Sequence, residues 1–202
     1  MHPRAWFATF DNDSVTDFQF EPESELGRSR LRYAARARIQ DPERGPQWDY
    51  HGTEWTAVIS VFLAQMAKDC GFVQEWEWGP SHIDFAWFSP GATSPTVLIE
   101  HENDSEGIDV RKNKRHSDGE VWKLSRELSR LPTVDFGVLI TYPEGKEEQS
   151  APGIARRARH VLRREGVGPE RFLLALGKVG ENDWEEIEWE GALWNGQDWE
   201  SL

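Results

Sequence analysis

The chain has 202 residues, a formal net charge of −13 and 12% aromatic residues, a length and composition that suit one compact domain with an aromatic-rich core. Its single cysteine, Cys70, excludes an internal disulfide bond and a cysteine-based zinc site. No apolar run approaches the ~18 residues of a membrane span, so we expect a soluble, cytoplasmic protein with no membrane contact.

The acidic total argues against a nucleic-acid partner, but the basic residues are clustered. Of the 23 lysines and arginines, 14 fall in the segments Arg28–Arg38, Arg111–Arg115 and Arg156–Arg164, whereas eight acids fall between Glu181 and Glu200. Because binding depends on the local field, one basic face on an acidic protein is still compatible with DNA.

The first fifty residues, 1–50, have the pattern of an accessory β region. Ala5–Phe10 and Val15–Phe20 flank a turn-rich tetrad and are predicted to form a hairpin. Apolar and basic residues then alternate over Leu31–Ile39, which favours a strand, although alanine and arginine are also good helix formers. Asp41–Pro46 is rich in proline and charge and is predicted to be a linker.

Residues 51–143 are predicted to form a core with the order helix, three strands, helix, strand. An apolar stripe and the stop residue Gly71 define the first helix, and a capping-box pattern at Ser117–Glu120 opens the second. Apolar runs between turn residues indicate the strands. The predicted elements are helix Gly52–Gly71, strands Val73–Trp78, Ile83–Phe88 and Thr96–Glu102, a helix from Ser117 to Leu131, and strand Asp135–Tyr142.

Residues 144–202 are predicted to add one helix and three strands. Proline near the start of the helix and Gly166 just past its end are typical of helix termini. The predicted elements are a basic helix from Pro152 to about Glu165, strand Arg171–Val179, and two short tryptophan-bearing strands around Gly191 and Asn195–Gly196.

The order of the elements predicts a mixed sheet. Three strands joined by short turns form an antiparallel meander, and a helix between the third and fourth strands allows a crossover to a parallel neighbour. We therefore expect an α/β fold of the α+β type in one compact domain. Its αβββαβ core would carry the N-terminal β region and the C-terminal helix and strands as additions.

Three acids stand in two neighbouring apolar strands. Asp84 interrupts one strand, and Glu100 and Glu102 end the next. An unpaired buried charge is costly, so these acids predict a cation between them, and a hard divalent metal serving phosphate chemistry suits their oxygen ligands. Alternate residues of a strand share a face, so Glu100 and Glu102 can converge on one site while His101 points away.

This pattern of elements and acids resembles the restriction-endonuclease-like PD-(D/E)XK nuclease superfamily. The resemblance covers the predicted core and rests on Glu54 in the first helix, Asp84 on the second strand, and Glu100 with Glu102 on the third. It implies a Mg²⁺ or Mn²⁺ site held by Asp84, Glu100 and the backbone carbonyl of His101, with Glu54 as an additional ligand. Glu102 stands where the family has a lysine.

Lys123, on the second helix of the core, is the candidate for the missing cation. It lies off the apolar stripe of this helix, and some family members carry the motif lysine here. Its role would be to orient water or to stabilise charge in the transition state, and the alternative is an ordinary exposed lysine. The implied catalytic residues are Asp84, Glu100, Glu102 and Lys123.

Each of the other acids also has a purely structural interpretation. Asp84 could cap a turn or pair with an arginine, and Glu102 could mark the point at which its strand reaches solvent. Glu54, near a helix N-terminus, is favourable through the helix dipole alone.

Two basic segments are candidates for contact with the DNA backbone: the loop after the third strand and the basic C-terminal helix. Charge runs of this kind are otherwise solvated faces, and the acidic C-terminal tail could neutralise the helix. The candidate DNA-binding residues are Arg111, Lys112, Lys114, Arg115, Arg156, Arg159 and Arg163.

The resemblance implies a metal-dependent nuclease that hydrolyses DNA phosphodiester bonds, with monomer and homodimer both open. The alternative is a catalytically inactive nuclease-fold module that binds nucleic acid or protein. A third alternative, a tryptophan-rich sugar-binding or sugar-processing protein, does not explain why the acids lie in strands of this order.

Overall fold

One mixed sheet of seven strands organises the residues that the structure describes. The structure is a computed structural model, and it describes residues 1–12, 49–102, 119–143, 150–179 and 187–202. The helices are α1 (Pro3–Asn12), α2 (Asp49–Asp69), α3 (Glu120–Arg130) and α4 (Ala151–Glu165). The strands are β1 (Val73–Trp78), β2 (Ile83–Phe88), β3 (Val97–Glu102), β4 (Phe136–Thr141), β5 (Phe172–Val179), β6 (Ile187–Trp194) and β7 (Trp199–Ser201).

The seven strands lie side by side in the order in which they occur along the chain. β1, β2 and β3 form a meander of antiparallel neighbours. β3, β4 and β5 are parallel, and α3 and α4 make the two crossovers that parallel neighbours require. β5, β6 and β7 are antiparallel again. The predicted meander, the crossover helix and the mixed α/β architecture are confirmed.

The sheet separates two hydrophobic cores. α1 and α2 cover one face, where Trp6, Phe62 and Ile99 belong to one buried cluster. α3 and α4 cover the other face, where Leu98 and Leu124 belong to a second cluster. Successive residues of a strand point to opposite faces, so β3 contributes to both cores and is buried on both sides.

The strand predicted over Ala5–Phe10 is wrong, because these residues lie in α1. Trp6 and Phe10 are fully buried, and their stacked rings have centroids 5.0 Å apart. This i, i+4 spacing suits a helix that packs on the sheet, although aromatic residues also favour strands by propensity. The strands predicted at Val15–Phe20 and Leu31–Ile39, and the linker after them, lie outside the described residues.

The predicted ends of α2 and α4 agree with the structure to within a few residues. The hydroxyl of Ser150 accepts a hydrogen bond from the Gly153 amide at the start of α4, and Gly166 ends the helix in the left-handed conformation. α2 begins at Asp49, and Gly71, with φ of 78°, lies just past its end. None of the described helices is long and apolar enough to cross a membrane.

The capping box predicted at Ser117–Glu120 is wrong. Gly119 is the N-cap of α3, no side chain caps this end, and Glu120 is the first helical residue. Glu120 therefore does not stand at the third position, from which its carboxylate could reach back to the N-cap amide. The carboxylate pairs instead with Lys123, one turn further along the helix.

Gly191 lies inside β6, where it allows α1 to approach the sheet closely. A Cβ at this position would lie 2.7 Å from the ring of Phe7 on α1. The two tryptophan-bearing strands predicted here are present as β6 and β7, and Asn195 and Gly196 lie between them.

Gly191→Ala is expected to lower the free energy of unfolding by about 1–3 kcal/mol, because α1 must shift to relieve the overlap with Phe7. Thermal and urea denaturation measure the change. Gly168→Ala is the matched control, since its Cβ would meet only Arg171 at an ordinary 3.7 Å. Equal stability of the two variants would contradict the packing of α1 on β6.

Candidate functional site

Asp84 and Glu100 lie side by side on the face of the sheet that α3 covers. Phe85 of β2 lies opposite Ile99 of β3, so the preceding and following residues, Asp84 and Glu100, are neighbours across the two strands. The backbone amide of His101 donates a hydrogen bond of 2.9 Å to Oδ2 of Asp84. The proximity expected from the sequence is therefore present in the fold.

Lys123 reaches this pair from α3. Its Nζ lies 2.9 Å from Oε1 of Glu100 and 2.8 Å from Oε2 of Glu120, and it donates a hydrogen bond of 3.0 Å to the carbonyl of His82. Both distances are those of charge-assisted contacts, and Coulombic attraction and hydrogen bonding both act between the ammonium and these two carboxyl groups. Lys123 is therefore the central cation of a cluster with three carboxyl groups.

Burial sets the protonation of the two strand acids. Burial, followed by the nearby charges of Asp84 and Glu120, raises the pKa of Glu100 well above its usual value of 4.5, and the attraction of Lys123 opposes this rise only in part. Burial also raises the pKa of Asp84, opposed mainly by the hydrogen bond from the His101 amide. The charge of Asp84 thus makes ionisation of Glu100 harder, whereas a side-chain hydrogen bond with Glu100 favours the ionised form of Asp84 by lowering its pKa.

Lys123 remains an ammonium in this environment. Burial would lower its pKa, but the charge of Glu100 and the contacts with Glu120 together raise the pKa above its usual value of 10.5. Three acids around one ammonium give the cluster an excess of negative charge whenever the acids ionise. The ammonium of Lys123 balances only one of these charges.

The donor set fits a hard divalent cation. All the candidate ligands are oxygen atoms, and one of them, Oε1 of Glu100, is buried without an aligned hydrogen-bond donor among the described residues. Within the same part of the chain, no group of three or more His, Cys, Asp or Glu side chains is arranged to hold a metal. Asp84 and Glu100 would thus be the protein's main ligands, with water and substrate in the other positions, which is a common arrangement for Mg²⁺.

His101 points its side chain to the opposite face of the sheet, as strand alternation predicts. Its Nε2 lies 3.0 Å from the hydroxyl of Tyr142, and burial lowers its pKa to about 3. The imidazole is therefore neutral at physiological pH and belongs to the core beneath α1 and α2. The proposed metal contact of its backbone carbonyl stays a prediction.

The two remaining predicted ligands are less defined. Glu102 is the last residue of β3, pairs with Thr141 of β4 and is partly buried, on the same face as Glu100. Glu54 lies in α2, but its side chain is outside the part of the chain that the structure describes. The roles of both acids stay predictions.

The candidate DNA-binding residues divide into two groups. The loop residues Arg111, Lys112, Lys114 and Arg115 lie outside the described residues. On α4, Arg159 makes two hydrogen bonds of 3.1 Å to Asp198, and Arg163 donates to the Gln197 carbonyl. The acidic C-terminal segment therefore neutralises part of this helix, which was the structural alternative, while Arg156 is exposed.

Glu120 is the member of the cluster that the sequence did not reveal. The Ser-x-x-Glu pattern predicts that Glu120 is half of a capping box, whereas Glu120 and Lys123 also have the i, i+3 spacing of a helical ion pair. That spacing is the sequence feature from which the Glu120–Lys123 ion pair could have been predicted. The carbonyl of His82, which accepts a hydrogen bond from Lys123, has no counterpart in sequence patterns.

Comparison with known proteins identifies no relative. No family model matches the chain, and no curated protein or solved structure is significantly similar to it. The function must therefore be inferred from the site itself.

Glu100→Gln is expected to stabilise the metal-free protein at neutral pH. The pKa of Glu100 in the folded state is above its ordinary value of 4.5, which applies to the unfolded state. At pH values between these two pKa values, the native state therefore binds more protons than the unfolded state. The stability of the wild type should therefore fall as the pH rises above 4.5. Each pKa unit of the difference corresponds to about 1.4 kcal/mol.

Thermal denaturation in EDTA across this pH range measures the effect. The variant should unfold at a higher temperature than the wild type at neutral pH, and the difference should shrink in acid. Glu188→Gln, at an exposed position on β6, is the control and should leave the pH dependence unchanged. If Glu100→Gln is less stable than the wild type at neutral pH, the conclusion that burial raises the pKa of Glu100 is contradicted.

Proposed function

We propose that this protein is a metal-dependent nuclease with a restriction-endonuclease-like core, and that it hydrolyses DNA phosphodiester bonds at Asp84, Glu100 and Lys123. The observation that carries the proposal is the position of the Lys123 ammonium, 2.9 Å from Glu100 and on the same face of the sheet as Asp84. An Asp, a Glu and a Lys are the residue types that the nuclease motif requires. Here the lysine comes from α3 instead of from position 102.

The order of the elements also supports the proposal. The core runs α2, β1, β2, β3, α3, β4, with an antiparallel meander followed by a parallel crossover. This is the αβββαβ order on which the resemblance rests. The acids occupy adjacent strands near the start of α3.

Asp84 and Glu100 would hold the Mg²⁺ or Mn²⁺ ion with carboxylate oxygens, and the His101 carbonyl would contribute a backbone oxygen. The bound cation would supply Lewis-acid stabilisation of the phosphate and lower the pKa of an attacking water. Because the ligands must be ionised and burial raises the pKa of both acids, ion binding would compete with protons for these two carboxyl groups. Metal affinity should therefore rise with pH.

Lys123 would stabilise negative charge and would not act as a base. Its pKa is raised, so it holds its proton at neutral pH and cannot remove one from water. A cation between Asp84 and Glu100 would compete with the ammonium for Glu100. The role of the Lys123 ammonium would be to stabilise negative charge that develops on the phosphate in the transition state.

A second candidate, an inactive nuclease-fold binding module, is favoured by the same lysine. Lys123 contacts Glu100, Glu120 and the His82 carbonyl, and is thus an internal cation that could permanently replace a metal. With Glu102 at the motif's lysine position, the site would then have a structural role. The two candidates differ in whether a divalent ion binds at Asp84 and Glu100.

Asp84→Asn and Glu100→Gln are expected to abolish Mg²⁺- or Mn²⁺-dependent cleavage of plasmid and single-stranded DNA, because each variant loses an anionic ligand. Lys123→Met should reduce kcat by about 10²–10³-fold, as is typical for loss of one group that stabilises transition-state charge. Gel-based cleavage and calorimetric Mn²⁺ titration are the measurements. Circular dichroism checks that each variant is folded.

Glu188→Gln, which replaces an exposed acid far from the cluster in sequence, is the matched control and should cleave like the wild type. Unchanged cleavage by Asp84→Asn and Glu100→Gln would refute the site. A wild type that binds DNA but takes up no Mn²⁺ and cleaves nothing would support the binding module instead.

A further inference from the structure

Glu127 is a buried acid of α3 that the proposed reaction does not use. The residue is 1% exposed, yet both carboxylate oxygens have a partner. The hydroxyl of Ser81 donates a hydrogen bond of 2.5 Å to Oε1, and the guanidinium of Arg130 donates one of 2.6 Å to Oε2. A polar cluster thus replaces apolar packing where α3 meets the end of the β1–β2 hairpin.

Stability alone does not explain an acid at this position. Buried ion pairs often contribute no more than apolar residues of similar volume, because desolvation offsets the attraction. Arg130, the charged partner, has a side chain that is 51% exposed, which weakens the attraction further. What Glu127 provides is a directional contact with Ser81, and thus a defined position for the turn relative to α3.

The same turn makes a second contact with α3. His82, next to Ser81, accepts the hydrogen bond from Lys123 through its carbonyl. Lys123 and Glu127 are one helical turn apart on α3, so two successive residues of the turn contact two successive positions on one side of the helix. The backbone of His82 is in the left-handed region, with φ of 50°, a conformation that is unfavourable for a residue other than glycine.

The turn also leads directly to the metal ligand. Asp84 is two residues after His82, and it lies beside Glu100 across the two strands. The contacts of Ser81 and His82 therefore connect the strand that carries Asp84 with the helix that carries Lys123. The relative position of the acid and the ammonium depends on this connection.

We propose that Ser81 and Glu127 are positioning residues that hold the Lys123 ammonium against Glu100 by attaching the β1–β2 turn to α3. The catalytic consequence rests on the proposed function, but the positioning itself does not. Loss of the Ser81–Glu127 hydrogen bond frees the turn, withdraws the His82 carbonyl from Lys123 and lets the ammonium move towards solvent.

Competitive acetylation of the full-length protein with acetic anhydride tests the positioning. In the wild type, Lys123 should be strongly protected relative to the exposed Lys68, because its side chain is only 18% exposed and its ammonium contacts two carboxyl groups. Ser81→Ala and Glu127→Met, which each remove one partner of the hydrogen bond, should increase the labelling of Lys123 several-fold as the ammonium moves towards solvent, while Lys68 is unchanged. Mass spectrometry of the labelled peptides gives both values.

Two further variants separate positioning from general loosening of the fold. Ser81→Thr keeps the hydroxyl and should restore protection of Lys123. Ser129→Ala, which removes a hydroxyl of α3 that bonds to the Glu165 carbonyl instead, should leave Lys123 protected. Wild-type protection in both Ser81→Ala and Glu127→Met, with native circular dichroism, would overturn the proposal.

Cleavage kinetics give the outcome that depends on the nuclease. Ser81→Ala should lower kcat and leave KM unchanged, because Lys123 acts in the transition state. If the wild type does not cleave DNA but Ser81→Ala still exposes Lys123 to acetylation, the proposed function fails and the positioning holds. If the wild type cleaves DNA, and Ser81→Ala and Glu127→Met both keep the wild-type kcat and the wild-type labelling of Lys123, the positioning proposal is wrong and the proposed nuclease function is retained.

Discussion

The contact between Glu100 and Lys123 is the interaction around which the candidate site is organised. Glu100 is 1% exposed at the end of a strand buried on both faces, beside a second carboxyl group. A carboxylate in this position requires a nearby cation, because ionisation without one would be prohibitively costly. Only α3 supplies that cation among the described residues, so the first turn of α3 must lie over β2 and β3. The crossover from β3 to β4 brings this helix to the required face.

The same interaction leaves the cluster short of positive charge. One ammonium faces Asp84, Glu100 and Glu120, so full ionisation of the three acids leaves negative charge in a buried place. Two outcomes relieve this charge: protons on the acids, or a divalent ion between them. The raised pKa of Glu100 favours protonation, and the proposed nuclease function requires the divalent ion. A buried cluster with more acids than cations lowers the stability of the fold. Such clusters are typical of functional sites rather than of sites that stabilise the fold.

The parts of the fold that sequence patterns predict are those governed by local rules. Continuous apolar runs identify β3 and β4, and Gly166 marks the end of α4. The neighbouring positions of Asp84 and Glu100 follow from a meander with short turns. The rest depends on tertiary contacts: α1 is helical because Trp6 and Phe10 pack together on the sheet, although the same run also suits a strand.

The composition of the cluster was less predictable for the same reason. Glu120 pairs with Lys123 because Gly119 takes the N-cap, and this shift of position is not visible in the Ser-x-x-Glu pattern. Arg159 is held by Asp198, a partner distant in sequence that only the folded C-terminal turn brings near.

The most direct test of the account is the anomalous signal of Mn²⁺ in a crystal of the wild-type protein. The account predicts a peak within direct coordination distance of carboxylate oxygens of both Asp84 and Glu100, with the Lys123 ammonium displaced from Glu100. It also predicts that the peak disappears in Glu100→Gln crystals. The absence of a peak at saturating Mn²⁺, with Lys123 still in contact with Glu100, would contradict the metal site and with it the proposed nuclease.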